Sequence, residues 1–126
     1  MSEITPENVQ EKLNLFQQIQ QQVQNLSQQV SQIDMSIGET ERTLEEIKDV
    51  GDKATLYRAI GSVMKKIDDP KKLKKDLEEE KERMEIRNNS LKNQVQKMNE
   101  ELEEMQKQLT PILQNIQENK VNDASK

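Results

Sequence analysis

The chain of 126 residues has no cysteine, no histidine and no tryptophan, and its aromatic content is one tyrosine and one phenylalanine. Without cysteine there is no disulfide, no thiol nucleophile and no thiolate ligand for zinc. Without histidine the side chain that most often carries acid–base chemistry near neutrality is missing as well, so an enzyme and a metal or organic cofactor are not expected. Only 31% of the residues are hydrophobic against 34% charged, which is too little for a thick globular core. No apolar run reaches 18 residues and no basic segment leads into an apolar one at the start, so neither a membrane span nor a secretory signal is read, and a cytoplasmic setting is expected. A net charge of −5 also argues against a nucleic-acid or anionic-membrane surface, since both need a basic footprint. What remains is a thin aliphatic core and a protein partner.

The aliphatic residues are periodic. Val9, Leu13, Phe16, Ile19, Val23, Leu26, Val30, Ile33, Ile37, Leu44 and Ile47 follow one another in steps of three and four, with Thr40 in the single gap. This is the seam of a coiled coil. Thr5, Pro6 and Glu7 predict a cap and a first turn, and Gly51 predicts a stop, giving a helix over about residues 6–49. Asp69-Pro70 predicts a second start. Its seam runs through Leu77, Lys81, Met84, Asn88, Leu91, Val95, Met98, Leu102, Met105, Leu109, Ile112 and Ile116. Pro111 interrupts that pattern by removing a backbone donor, so a kink or fraying is expected beyond about residue 110, a helix end near 118, and a disordered tail over 119–126.

The two seams mirror each other. Leu44 and Leu77, Ile37 and Met84, Val30 and Leu91, Val23 and Met98, Ile19 and Leu102, Phe16 and Met105, and Val9 and Ile112 are pairs whose numbers each sum to 121. An antiparallel helical pair folded about residues 60–61 requires this relation, and two independent helices do not. The same mirror sets Thr40 against Lys81 and Ile33 against Asn88, so Asn88 is read as a register-fixing polar group or as an edge residue of a thin core. At the centre of symmetry, residues 54–67 change to a period of two around Gly61-Ser62, which predicts a β-hairpin with a type II′ turn. Alternation puts Leu56, Ile60, Val63 and Ile67 on one face and Tyr57, Ala59 and Met64 on the other. A lone hairpin with apolar groups on both faces needs further strands, and self-association or association with a related subunit supplies them. Arg58 opposes Lys65 in this register, so an acidic side chain from another subunit is expected beside them.

Charge is uneven along the helices. From Asn14 to Ile33 there is no Asp, Glu, Lys or Arg and the outward positions are mostly Gln, whereas residues 71–87 are dense in both signs and read as ordinary solvated surface. Near the free ends Leu15 and Leu113 leave the seam, while Leu13, Phe16, Ile112 and Ile116 occupy irregular layers. Such an end either offers adaptable apolar surface or simply completes the coil.

The order helix, hairpin, helix resembles the prefoldin family, specifically its β-type subunits with a single hairpin. Leu-Tyr-Arg-Ala-Ile-Gly-Ser-Val-Met-Lys-Lys, 56–66, is similar to that family's hairpin pattern of apolar, Tyr, basic, any, apolar, Gly, any, three apolar, Lys; Lys65 departs from it where an apolar residue is usual. Phe-Gln-Gln-Ile-Gln-Gln-Gln at 16–22 and Thr-Leu-Glu-Glu-Ile at 43–47 resemble the family's helices. The resemblance implies a mainly α chain whose hairpins assemble into a β-barrel platform of a hetero-hexamer, two α-type and four β-type subunits. It also implies ATP-independent holding of unfolded proteins at the coiled-coil tips and delivery to a group II chaperonin. By position, Leu56, Tyr57, Ile60, Gly61, Val63 and Met64, with Ile67, would build the platform. Val9, Leu13, Leu15, Phe16, Leu109, Ile112, Leu113 and Ile116 would contact clients.

Other readings fare worse. A structural coiled-coil adaptor explains the helices and leaves the hairpin without a purpose. A basic-zipper DNA binder is opposed by Pro70, which breaks the basic helix, and by the acids that follow Lys71, Lys72, Lys74 and Lys75. The carboxylates of Glu78, Glu79 and Glu80 and of Glu100, Glu101, Glu103 and Glu104 come with no nucleophile and no phosphate loop, so they are not read as catalytic.

Overall fold

Two heptad segments flanking a glycine-centred, period-two segment give, in the computed structural model, the order α1 (Val9–Ile47), β1 (Leu56–Ile60), β2 (Val63–Ile67) and α2 (Pro70–Ala124). The structure describes the backbone of residues 4–51 and 53–124 and the side chains up to residue 117. It falls into two compact units, residues 1–29 with 91–126, and residues 30–90.

The turn at the centre follows from one residue. Gly61 has φ +59°, and no other described residue has positive φ. A two-residue loop with positive φ at its first position only is type II′, whose twist matches that of the strands. The antiparallel register then pairs Leu56 with Ile67, Tyr57 with Lys66, Arg58 with Lys65, Ala59 with Met64 and Ile60 with Val63.

The helix ends follow local hydrogen bonding. Asp69 Oδ1 accepts the amides of Lys71 and Lys72 at 3.1 and 3.2 Å, and the Asp69 carbonyl accepts the amide of Leu73 at 3.1 Å, so Asp69 caps α2 with Pro70 in its first turn. The start of α1 lies later than the Thr5-Pro6 signal indicates. Asn8 is the cap: its carbonyl accepts the Lys12 amide at 3.0 Å, while its Oδ1 accepts the Thr5 amide at 2.7 Å and closes a turn over residues 5–8. Gly51 is not the left-handed stop that its position suggests, since its φ is not positive. Instead the Val50 amide closes a short turn on the Ile47 carbonyl, and the Lys74 ammonium donates to the carbonyls of Lys48 and Val50 at 3.4 and 3.1 Å. The last turn of α1 has no basic residue of its own, so this cation from α2 meets the negative helix end.

Pro111 does not end α2, which continues through it to Ala124 in place of the fraying and the tail from 119 expected above. The loss is one hydrogen bond to the Lys107 carbonyl; Pro111 is exposed, so solvent can satisfy that carbonyl, and a helix already propagating survives one missing bond. Thr110 Oγ1 donates to the Gln106 carbonyl at 2.8 Å in the same turn. Ser125 and Lys126 of the expected tail lie outside the described residues.

Within residues 30–90, Leu77 is buried near the hairpin and Asn88 at the far end. Lys81 Nζ lies 3.4 Å from Glu41 Oε1 and 3.7 Å from Glu85 Oε1, which is how a lysine is accommodated at a seam position. In the other unit Ile4, Ile19, Met105 and Leu109 form a buried cluster against which Val9, Leu13, Phe16, Val23, Met98, Leu102 and Ile112 pack. Four mirrored pairs fall within that cluster: Val9 with Ile112, Phe16 with Met105, Ile19 with Leu102, and Val23 with Met98.

Candidate functional site

Strand alternation gives the hairpin two unlike faces, each incompletely covered by its own chain. At the base of one face, Leu56 and Ile67 are half-buried, whereas Ile60 and Val63 at the turn are exposed. On the other face Tyr57 and Met64 stand open. These four apolar side chains retain 56 to 64% of their accessible surface. Both strand edges are unpaired among the described residues, because the sheet has two strands.

Between the base and the turn lies Arg58. The expected acid is present and comes from the same chain: Arg58 Nη2 lies 3.0 Å from Oε1 and 3.2 Å from Oε2 of Glu80 in α2. Glu80 sits in the charge-dense stretch that sequence periodicity assigns to plain solvated surface. Only the fold brings residues 22 apart in sequence together, and no local spacing signals it.

The free helix ends form the second surface. Here Leu109 is buried, and so are Met105 and Ile19, which makes Leu109 a support for the end instead of part of its exterior. Val9, Leu13, Phe16, Ile112 and Ile116 are half-buried, while Leu15 and Leu113 are each 38% exposed. Ile4 was not among the candidate residues, yet it is buried against this cluster. The turn over residues 5–8 folds it back. Ile4 stands four residues ahead of the Asn8 cap, too far for the local staple pattern to mark it.

Among the described residues no group of three or more acidic side chains is placed to hold a metal ion. No described helix is long and apolar enough to cross a membrane. Each surface leaves apolar side chains exposed, Tyr57, Ile60, Val63 and Met64 on the hairpin and Leu15 and Leu113 at the free ends.

Comparison with known proteins decides the family. Residues 10–116 match the family model described as prefoldin subunit. The chain belongs to the prefoldin subunit family. The prefoldin subunit beta of Thermoplasma volcanium is 38% identical over 98 residues, 78% of this chain and 79% of that protein. The prefoldin subunit beta of Archaeoglobus fulgidus is 35% identical over 113 residues, 90% of this chain and 96% of that one. The crystal structure of the prefoldin beta subunit from Thermococcus strain KS-1 superposes with a TM-score of 0.74 at 32% identity, covering 88% of this chain and 96% of the other. Prefoldin subunits are chaperone components, and the likeness to β subunits spans both long helices and the hairpin between them.

Proposed function

We propose that this chain is a β-type subunit of an ATP-independent holding chaperone, assembled through its hairpin into a hetero-hexamer of two α-type and four β-type prefoldin subunits. The observation that carries the reading is the exposure of Tyr57, Ile60, Val63 and Met64 around a two-stranded sheet with open edges. Such a hairpin is marginal alone and gains stability by extending its sheet. Family membership supplies the partners. The free ends, with Leu15 and Leu113 exposed beside half-buried Val9, Leu13, Phe16, Ile112 and Ile116, then hold unfolded polypeptide, and buried Leu109 braces them. Several weak tips fixed to one platform raise effective concentration, so retention is strong while each tip releases fast. Delivery to a group II chaperonin in the cytoplasm follows from the family role.

The test combines native mass with a nucleotide-free aggregation assay. The chain mixed with an α-type prefoldin subunit is expected to form a hexamer that suppresses aggregation of a denatured client. Leu15→Ser with Leu113→Ser is expected to leave the hexamer intact and reduce suppression several-fold. Undiminished suppression by the double variant removes the tips from the mechanism. Failure to form a compact hexamer with the α-type subunit would favour the adaptor reading, in which the coiled coil only joins proteins.

A further inference from the structure

Between Lys53 and Ile67 the chain carries Lys53, Arg58, Lys65 and Lys66 and not one acid, although the whole chain has 24 acidic against 19 basic residues. The hairpin is a basic island in an acidic protein. The Arg58 charge is answered by Glu80. Lys65 and Lys66 are exposed on β2, and among the described residues neither side chain has a hydrogen-bond or ion-pair partner. Asp68, Asp69 and Asp76 line the same groove without pairing to either lysine, and Asp69 is already engaged in capping α2. By register Lys65 shares a face with Ile60 and Val63, while Lys66 shares the other with Tyr57 and Met64. Each apolar patch therefore has a cation in it.

We infer that β2 docks against a carboxylate-bearing strand of an unlike subunit, with Lys65 forming the central ion pair, and that two copies of this hairpin disfavour each other. The inference rests on the assembly reading above. When a sheet neighbour covers Ile60 and Val63, Lys65 is partly desolvated with them, and an ammonium left without a counter-charge there is costly. A second copy of this hairpin brings more cations and no acid. An acidic strand supplies the missing charge, so the same two lysines attract the unlike partner and repel the like one. Lysines on an edge strand also serve simply to block edge pairing. That plainer role answers differently to neutralisation, which is what makes the two separable.

The experiment uses the full chain, alone and mixed with an α-type prefoldin subunit, at about 50 and about 500 mM NaCl, so that screening reports on charge. Lys65→Met restores the apolar residue usual in the family, Lys65→Arg keeps the charge, and Lys65→Glu reverses it. For an ion pair in the covered interface, Lys65→Met is expected to weaken the mixed complex about tenfold or more, Lys65→Glu further, and Lys65→Arg little. Carbodiimide is expected to link Lys65 to an Asp or Glu of the unlike subunit. The chain alone should associate weakly at low salt and more at high salt. The inference is overturned when Lys65→Met joins the unlike subunit as tightly as the unmodified chain and self-associates more, since the lysine is then a blocking residue only. It is equally overturned when the unmodified chain binds a DNA oligonucleotide at low salt and Lys65→Met does not, since the island then serves a polyanion. An unmodified chain that joins no prefoldin subunit at all sinks the assembly reading itself, before any variant is compared.

Discussion

Asn88, with 2% of its surface exposed, donates from Nδ2 to Oδ1 of Asp34 across 2.6 Å, while its own Oδ1 has no partner among the described residues. A buried amide half satisfied in this way holds one alignment of the two helices and costs stability in doing so. Asp34 lies one residue beyond Ile33, the mirror partner of Asn88, so the contact is reached by a side chain on the rim of the seam.

Replacing Asn88 by Leu is therefore expected to raise stability by about 1–3 kcal/mol, because an unpaired buried oxygen is exchanged for an apolar group. Asp34→Ala is expected to lower it by about 1 kcal/mol or more, because Nδ2 of Asn88 then loses its acceptor. Thermal and urea unfolding followed by circular dichroism measure both. Opposite signs support the assignment, and destabilisation by Asn88→Leu contradicts it.

The Arg58–Glu80 pair carries a prediction of unequal effects. The two side chains are 40 and 36% exposed, so their direct coupling is about 1 kcal/mol at most and falls with added salt. Arg58 also faces Lys65 across the strands. Removing Glu80 leaves that like-charge pair uncompensated, whereas removing Arg58 abolishes attraction and repulsion together. Glu80→Gln is accordingly expected to cost more than Arg58→Gln. Hydrogen exchange at the amides of β1 and β2 reads the difference, which should narrow at high salt.

At the free ends, burial separates support from surface. Met105 is 1% exposed and central to its cluster. Met105→Ala is expected to cost about 2–5 kcal/mol, while Leu15→Ala should stay within about 0.5 kcal/mol. Unfolding midpoints test this, and equal losses would mean that Leu15 is part of the packed end. The contrast is also what licenses Leu15 and Leu113 as functional probes that do not unfold the chain.

Much of this architecture is legible in the amino-acid sequence. The mirrored seam follows from spacing alone, because an apolar stripe at steps of three and four is the requirement of a two-helix core, and its symmetry about residues 60–61 follows from antiparallel folding. The type II′ turn was equally legible, since Gly61 is the residue that tolerates the positive φ such a turn needs. The hairpin's exposed apolar groups were predictable from alternation once no third strand could be found. By contrast, two of the end signals misled while Asp69-Pro70 held: α1 starts at Val9 after a turn over residues 5–8 closed by Asn8, and the carbonyls beyond its end meet the Lys74 ammonium without a left-handed glycine.

The amino-acid sequence by itself determined the elements, their register and the family, because heptad spacing, strand alternation and a glycine turn are local rules that act on neighbouring residues. Tertiary structure alone decided which acid answers Arg58, that Asn88 finds Asp34, that Ile4 and Leu109 are buried in the free end, and that the side chains of Lys65 and Lys66 are left without a partner among the described residues. Those outcomes depend on where side chains many residues apart come to rest, and hydrogen bonds and ion pairs are decided within about 4 Å, a distance that no periodicity specifies.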